Sequence, residues 1–299
     1  MTQPKSPKSW RRVLWVAFVA AVLGTFAWMV LRPKEPEPVY QGRPVSYWLS
    51  EYYRKGGAAF MDSKYPDPAR DPEMSNGPIA ALKQIGTNAI PNYLRLAKSH
   101  ISKTQRTLLL SSWLKYYPRW LLSYLNDIEI ASVESPRKAR LGFMLLGSNG
   151  VSAVPDLIHL LKTSDNQTSR RTAATALGYV GLNAKDALPV LVQTIADHDE
   201  FVRVSAFRAI QEIGKDRSTR EWHSDCVSVI LPELKKLSDD PRCDHWLLVQ
   251  LLEDLRFDVR LALPVLQPLL NDTNVEIALR ARELLKLNDP EAAGENKLK

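Results

Sequence analysis

Residues 187–213 read ALPVLVQTIADHDEFVRVSAFRAIQEI: a proline, spaced aliphatics, an acidic turn, an arginine, then small residues at helical spacing. The apolar positions of each half recur every three to four residues, which predicts two amphipathic helices joined by a short turn. Neither helix can bury its stripe alone. The same pattern returns along the chain, so periodicity decides the fold.

Related segments are NAIPNYLRLAKS (88–99), SAVPDLIHLLKTSD (152–165), SVILPELKKLSDD (228–240) and LALPVLQPLLND (261–272). Their prolines are Pro91, Pro155, Pro189, Pro232 and Pro264, and YYPRWLLSYLND around Pro118 is a looser copy. A proline is expected within the first turn of each helix, where the missing N–H has no intrahelical partner. The companion pattern is RRTAATALGYVG (170–181), VRVSAFRAIQEIG (202–214) and VEIALRARELL (275–285). Here Ala174, Ala206 and Ala278 would let helices approach closely. Gly181 and Gly214 are expected as left-handed caps.

These residues resemble the HEAT-repeat family in its short bacterial form, related to phycobilisome-lyase-type repeats. The resemblance is carried by Ala187-Leu188-Pro189, Leu191, Asp197, Val202-Arg203, Ala206, Ala209-Ile210 and Gly214. It recurs less completely at Val154-Pro155, Asp165, Arg171, Ala174 and Gly178. It implies an all-α, right-handed α–α superhelix (a HEAT/ARM-like solenoid) over 79–287, degenerate over 79–149 and clear over 150–287. It also implies a ladder between adjacent repeats made by Asp165, Arg171, Asp197 and Arg203, with Glu276 in the arginine place of the last repeat, and a scaffold for another protein.

Ahead of the repeats, residues 13–31 (VLWVAFVAAVLGTFAWMVL) carry no charge. As a helix they extend about 28 Å, close to the hydrocarbon thickness, which predicts a single transmembrane helix. Lys5, Lys8, Arg11 and Arg12 precede it, and Arg32 and Lys34 follow with two glutamates, so the N-terminus (1–12) is expected in the cytoplasm and the body exported, on the periplasmic side if the cell has two membranes. Prolines at 33, 36, 38 and 44 predict an extended stem over 32–45. A helix with Ser46 as N-cap and a long loop follow over 46–78, and 288–299 read as a disordered tail.

Net charge is +7, of which residues 1–38 hold +4. The remaining +3 is a poor footprint for a nucleic-acid binder. His223, Cys226, Cys243 and His245 are zinc-type ligands, but a helix over 228–238 would hold the two pairs about 15–18 Å apart. A Cys226–Cys243 disulfide would need Cα atoms within about 7 Å, and two free thiols are the simpler expectation. The acidic loop Asp62, Asp67, Asp71, Glu73 lacks the spacing of a calcium site. No nucleophile elbow, phosphate loop or HExxH occurs, so neither catalysis nor a cofactor is expected. The alternatives are a lyase- or glycosylase-type domain and a structural spacer. WLKYYPRWLLSYL (113–125) gathers Trp113, Tyr116, Tyr117, Trp120 and Tyr124, which either patch an irregular core or form an aromatic docking face.

Overall fold

The computed structural model describes residues 13, 16, 17, 24, 36–57, 75–99, 119–215, 227–240, 243–255 and 259–288. The chain divides into two units, Met1–Glu37 and Pro38–Lys299. In the first, Val13, Val16, Ala17 and Gly24 are helical; the rest of the expected span, the basic tail and residues 25–35 lie outside the described residues. So do residues 58–74, where most of the long loop was expected, and residues 289–299.

The second unit opens with a hairpin, β1 (Val39–Tyr40) against β2 (Arg43–Pro44), turned by Gln41 and Gly42 at positive φ. Residues 39–44 therefore depart from the extended stem expected over 32–45. The physical reason is the tight turn: Gly42 accepts the left-handed backbone it requires, and the amide of Val45 then donates to the Pro38 carbonyl at 3.0 Å. The indole N–H of Trp48 pins the hairpin to the Tyr40 carbonyl at 3.2 Å.

Helix α1 (Val45–Tyr52) buries Val45, Trp48, Leu49 and Tyr52, and its N-cap position is Pro44, not Ser46. It packs on α2 (Ala80–Ile85) and on the long helix α4 (Arg119–Leu146), covering the start of the repeats instead of standing apart from them. The repeats are helix pairs. The first members are α3 (Ile90–Lys98), α5 (Val154–Thr163), α7 (Leu188–Thr194), α9 (Val227–Ser238) and α11 (Val259–Leu269). The second members are α4 (Arg119–Leu146), α6 (Gln167–Val180), α8 (Glu200–Ile213), α10 (His245–Leu255) and α12 (Val275–Asn288).

Each first helix touches the next first helix, and each second helix the next second helix, giving two parallel layers over one continuous apolar core from Val45 to Leu285. This is the stacking that the periodicity predicted. Ala174 and Ala206 are fully buried and Ala278 nearly so. Gly178 brings α6 and α8 closest: a Cβ there would lie 3.0 Å from the Ala209 Cα.

Pro91, Pro155 and Pro189 sit in the first turn of α3, α5 and α7, as expected. Pro232 and Pro264 instead lie inside α9 and α11, because the residues ahead of them are α-helical rather than part of a separate 3-10 turn. The turn glycines also differ from expectation. Gly181 has positive φ (67°) but an extended ψ of −142°, and Gly214 is not left-handed at all (φ −84°). Gly86 and Gly147 repeat the positive φ of Gly181, and each of the three opens a 3-10 segment that ends on a proline-led helix. An L side chain at such a φ, ψ pair is strained, which accounts for glycine at these corners.

Candidate functional site: an arginine-lined groove

In α6 of the second layer the buried face is made mostly of small residues, among them Ala173, Ala174, Ala176 and Gly178. The N-caps set the register. Asn166 Oδ1 accepts from the Ser169 amide at 3.0 Å, and Asp199 Oδ1 from the Val202 amide at 3.1 Å. Four residues after each cap stands an arginine, Arg170 in α6 and Arg203 in α8.

This register corrects the expected ladder. Arg170, not Arg171, makes it: its Nε donates to Asp197 Oδ2 at 2.7 Å and its Nη2 to Oδ1 at 2.9 Å. Both side chains are at least nine-tenths buried. Asp165 is exposed and bonds no arginine among the described residues, because the position equivalent to Asp197 in the preceding turn is Ser164. Arg170 Nη1 donates to the Ser164 carbonyl at 3.0 Å, just as Arg203 Nη1 donates to that of Asp197 at 3.1 Å. Asp197 and Arg203 thus occupy the ladder, but Arg203 meets a carbonyl instead of a carboxylate. In α12 the equivalent place is Ala278, and Glu276 lies in the first turn.

A second rung joins His245 Nδ1 to Asp272 Oδ2 at 2.5 Å, while His245 Nε2 faces the Asp240 carbonyl at 3.1 Å. Both ring nitrogens face acceptors, so only the imidazolium makes both bonds. Burial opposes charge on Asp197 and Asp272, but it is outweighed. Hydrogen bonds from Arg170 and the Asp199 amide hold Asp197 below the usual carboxylate range; the Asn274 amide and His245 do so for Asp272.

Of the zinc-type quartet, His223 and Cys226 lie outside the described residues. His245 is committed to Asp272, and Cys243 is a buried free thiol. Among the described residues no three His, Cys, Asp or Glu side chains gather to hold a metal ion. Burial, with Asp244 and Asp240 nearby, pushes the Cys243 thiol up to about 12. In a Cys226→Ser variant at pH 8, a maleimide is expected to label the native chain slower than the unfolded chain by roughly a hundredfold or more. Equal rates, followed by mass spectrometry, would contradict the burial.

Of the expected aromatic surface, Trp113, Tyr116 and Tyr117 lie outside the described residues; Trp120 and Tyr124 fall within α4, and their side chains are not described. What the structure does bring together is a groove of about 610 Å³ across α4, α6 and α8, lined by Arg137, Arg140, Arg171, Arg208, Tyr179 and Glu212, among others. Arg171 lies over the Phe201 ring at 5.1 Å, and Arg137 donates to the Tyr53 hydroxyl at 3.2 Å. Arg140 is 8% exposed and donates to Thr172 Oγ1 at 3.2 Å. Burial above all, with repulsion from Arg171 and Arg137, pushes its guanidinium down to about 10, so it stays charged at neutral pH. The modest net charge of the body hid this local excess, because the arginines come from three separate helices.

The family model for HEAT repeats matches residues 154–221, from α5 through α8. No curated protein matches the chain. Among solved structures, a designed armadillo repeat protein in complex with the peptide (KR)4 aligns over 74% of this chain and 97% of its own, at 18% identity and a TM-score of 0.34. The match to HEAT repeats thus covers residues 154–221, and the helix pairs stacked on either side of them continue the same solenoid arrangement.

Proposed function

We propose that this chain is a non-catalytic scaffold, anchored in a membrane through residues 13–31, that holds another protein against the second layer of its solenoid. The observation that carries the reading is the open groove across three successive second-layer helices, a volume typical of a ligand-binding cleft. A structural spacer has no use for four arginines converging on one cleft. The anchor reading is supported by the uncharged length of 13–31, and the basic residues ahead of it favour an exported body.

The test is in-membrane crosslinking of the full chain from positions rimming the groove, such as Ser205, against positions on the first layer, such as Gln193. The expected result is one adduct of defined mass from the groove and none from the first layer. The same smear from both positions, or no adduct at either, would reject the scaffold. A phosphatase fused after residue 299 is expected to be active only if the body is exported.

A further inference from the structure

The fold treats the two buried arginines among the described residues in opposite ways. Arg170 is 7% exposed and is neutralised by a two-point pair with Asp197. Arg140 is as deeply buried, yet among the described residues its hydrogen bond is to the neutral Thr172 hydroxyl and no carboxylate pairs with it. A guanidinium carries five N–H donors, and the nearby charges, Arg171 and Arg137, have its own sign. A buried charge without a counter-ion is unfavourable, so an anion that reaches it gains both the pairing and the hydrogen bonds. Arg140 lines the groove, so its donors are within reach of a ligand there.

We infer that Arg140 is the anion-binding centre of the groove and that the occupant is an acidic segment of a protein partner, one carboxylate on Arg140 and its neighbours on Arg171 and Arg208. The inference rests on the scaffold reading and gives the partner its chemistry. Four features favour carboxylates on a peptide over a nucleic-acid backbone. The groove is too small for a duplex, and the arginines number four where duplex binders commonly neutralise about 6–10 phosphates. Glu212 on the groove wall repels a continuous run of phosphates but leaves spaced carboxylates free to avoid it. Tyr179, half-buried between the arginines, offers apolar surface to the peptide between its charges.

The experiment uses the full chain in detergent and three fluorescent probes: an octapeptide alternating Glu and Ala, its Lys counterpart, and a single-stranded 12-mer oligonucleotide. The Glu peptide is expected to bind, to weaken at least tenfold in Arg140→Gln and severalfold in Arg208→Gln, and to leave the Lys peptide unbound. Arg140→Gln is expected to melt no lower than the natural chain, since it removes an unpaired charge; a lower melting point would contradict that charge being unpaired. Absence of Glu-peptide binding, binding indifferent to Arg140→Gln, or tighter binding of the oligonucleotide would each overturn the inference. The groove adduct separates the two readings. If it persists in Arg140→Gln, the scaffold stands and the anion site falls. If it is absent from the natural chain while Arg140-dependent peptide binding remains, the scaffold falls and the anion site stands.

Discussion

Replacing Asp197 with alanine is expected to destabilise the solenoid by about 3–5 kcal/mol, because it leaves Arg170 buried with no counter-charge. The size follows from geometry: the pair is two-pronged, and both side chains are at least nine-tenths buried. It also joins α6 to the turn ahead of α8, so its loss loosens the junction between two repeats. The double variant Arg170→Met with Asp197→Leu is expected to recover most of the loss, since apolar substitutes need no counter-ion. Chemical denaturation of the body reads both. Equal loss in the single and double variants would mean that the pair acts through shape and not charge.

The same rung sets an acid limit. Asp197 and Asp272 titrate below ordinary carboxylates, Asp197 chiefly through Arg170 against the opposing effect of burial, and Asp272 through the Asn274 amide and His245. A depressed folded-state value means the stabilisation is complete above the unfolded-state pKa of about 3.9 and drains away as pH falls through the folded value. The denaturation midpoint is therefore expected to hold level down to about pH 5 and to drop below about pH 4, with a shallower acid drop in Asp197→Asn.

Gly142→Ala is expected to destabilise by an amount near the upper end of about 1–3 kcal/mol, a large cost for one methyl group. The added Cβ would lie 2.6 Å from Cζ of Tyr93 and 2.7 Å from both Cε atoms. The ring cannot step aside: Tyr93 is 1% exposed and stands edge-on to Phe143, with centroids 5.7 Å apart. The sign should reverse when the obstacle is removed. In a Tyr93→Leu background, Gly142→Ala is expected to be neutral or stabilising by up to about 1 kcal/mol, the ordinary helix preference of alanine over glycine. A cost that persists in that background would place the fault elsewhere than the ring.

The repeat architecture was legible because each pair must hide two apolar stripes, and the prolines and alanines mark where it does so. The ladder was legible in kind but not in register. Arg170 and Arg171 are adjacent, and only the cap decides between them: Asn166 and Asp199 stand four residues before Arg170 and Arg203, which points the ladder inward at the first arginine and leaves the second facing the groove. The groove itself went unread because its arginines are scattered through the chain. A signal was present, since Arg171 and Arg208 lie five and nine positions after their caps and so share one helical stripe on neighbouring helices. The glycine corners at Gly86 and Gly147 were also missed, and Gly181 was foreseen at positive φ but not with its extended ψ; each lies a few residues ahead of a helix-leading proline.

The near-contact of Gly178 with Ala209 has a mechanical consequence. With almost no side chain between them, α6 and α8 are clamped backbone to backbone, whereas α8 and α10 meet more sparingly among the described residues. Bending of the body is then borne at the softer joint. The clamped joint acts as a fixed gauge that keeps Arg171 and Arg208 at one separation, so whatever docks there is selected by the spacing of its charges and not only by their sign.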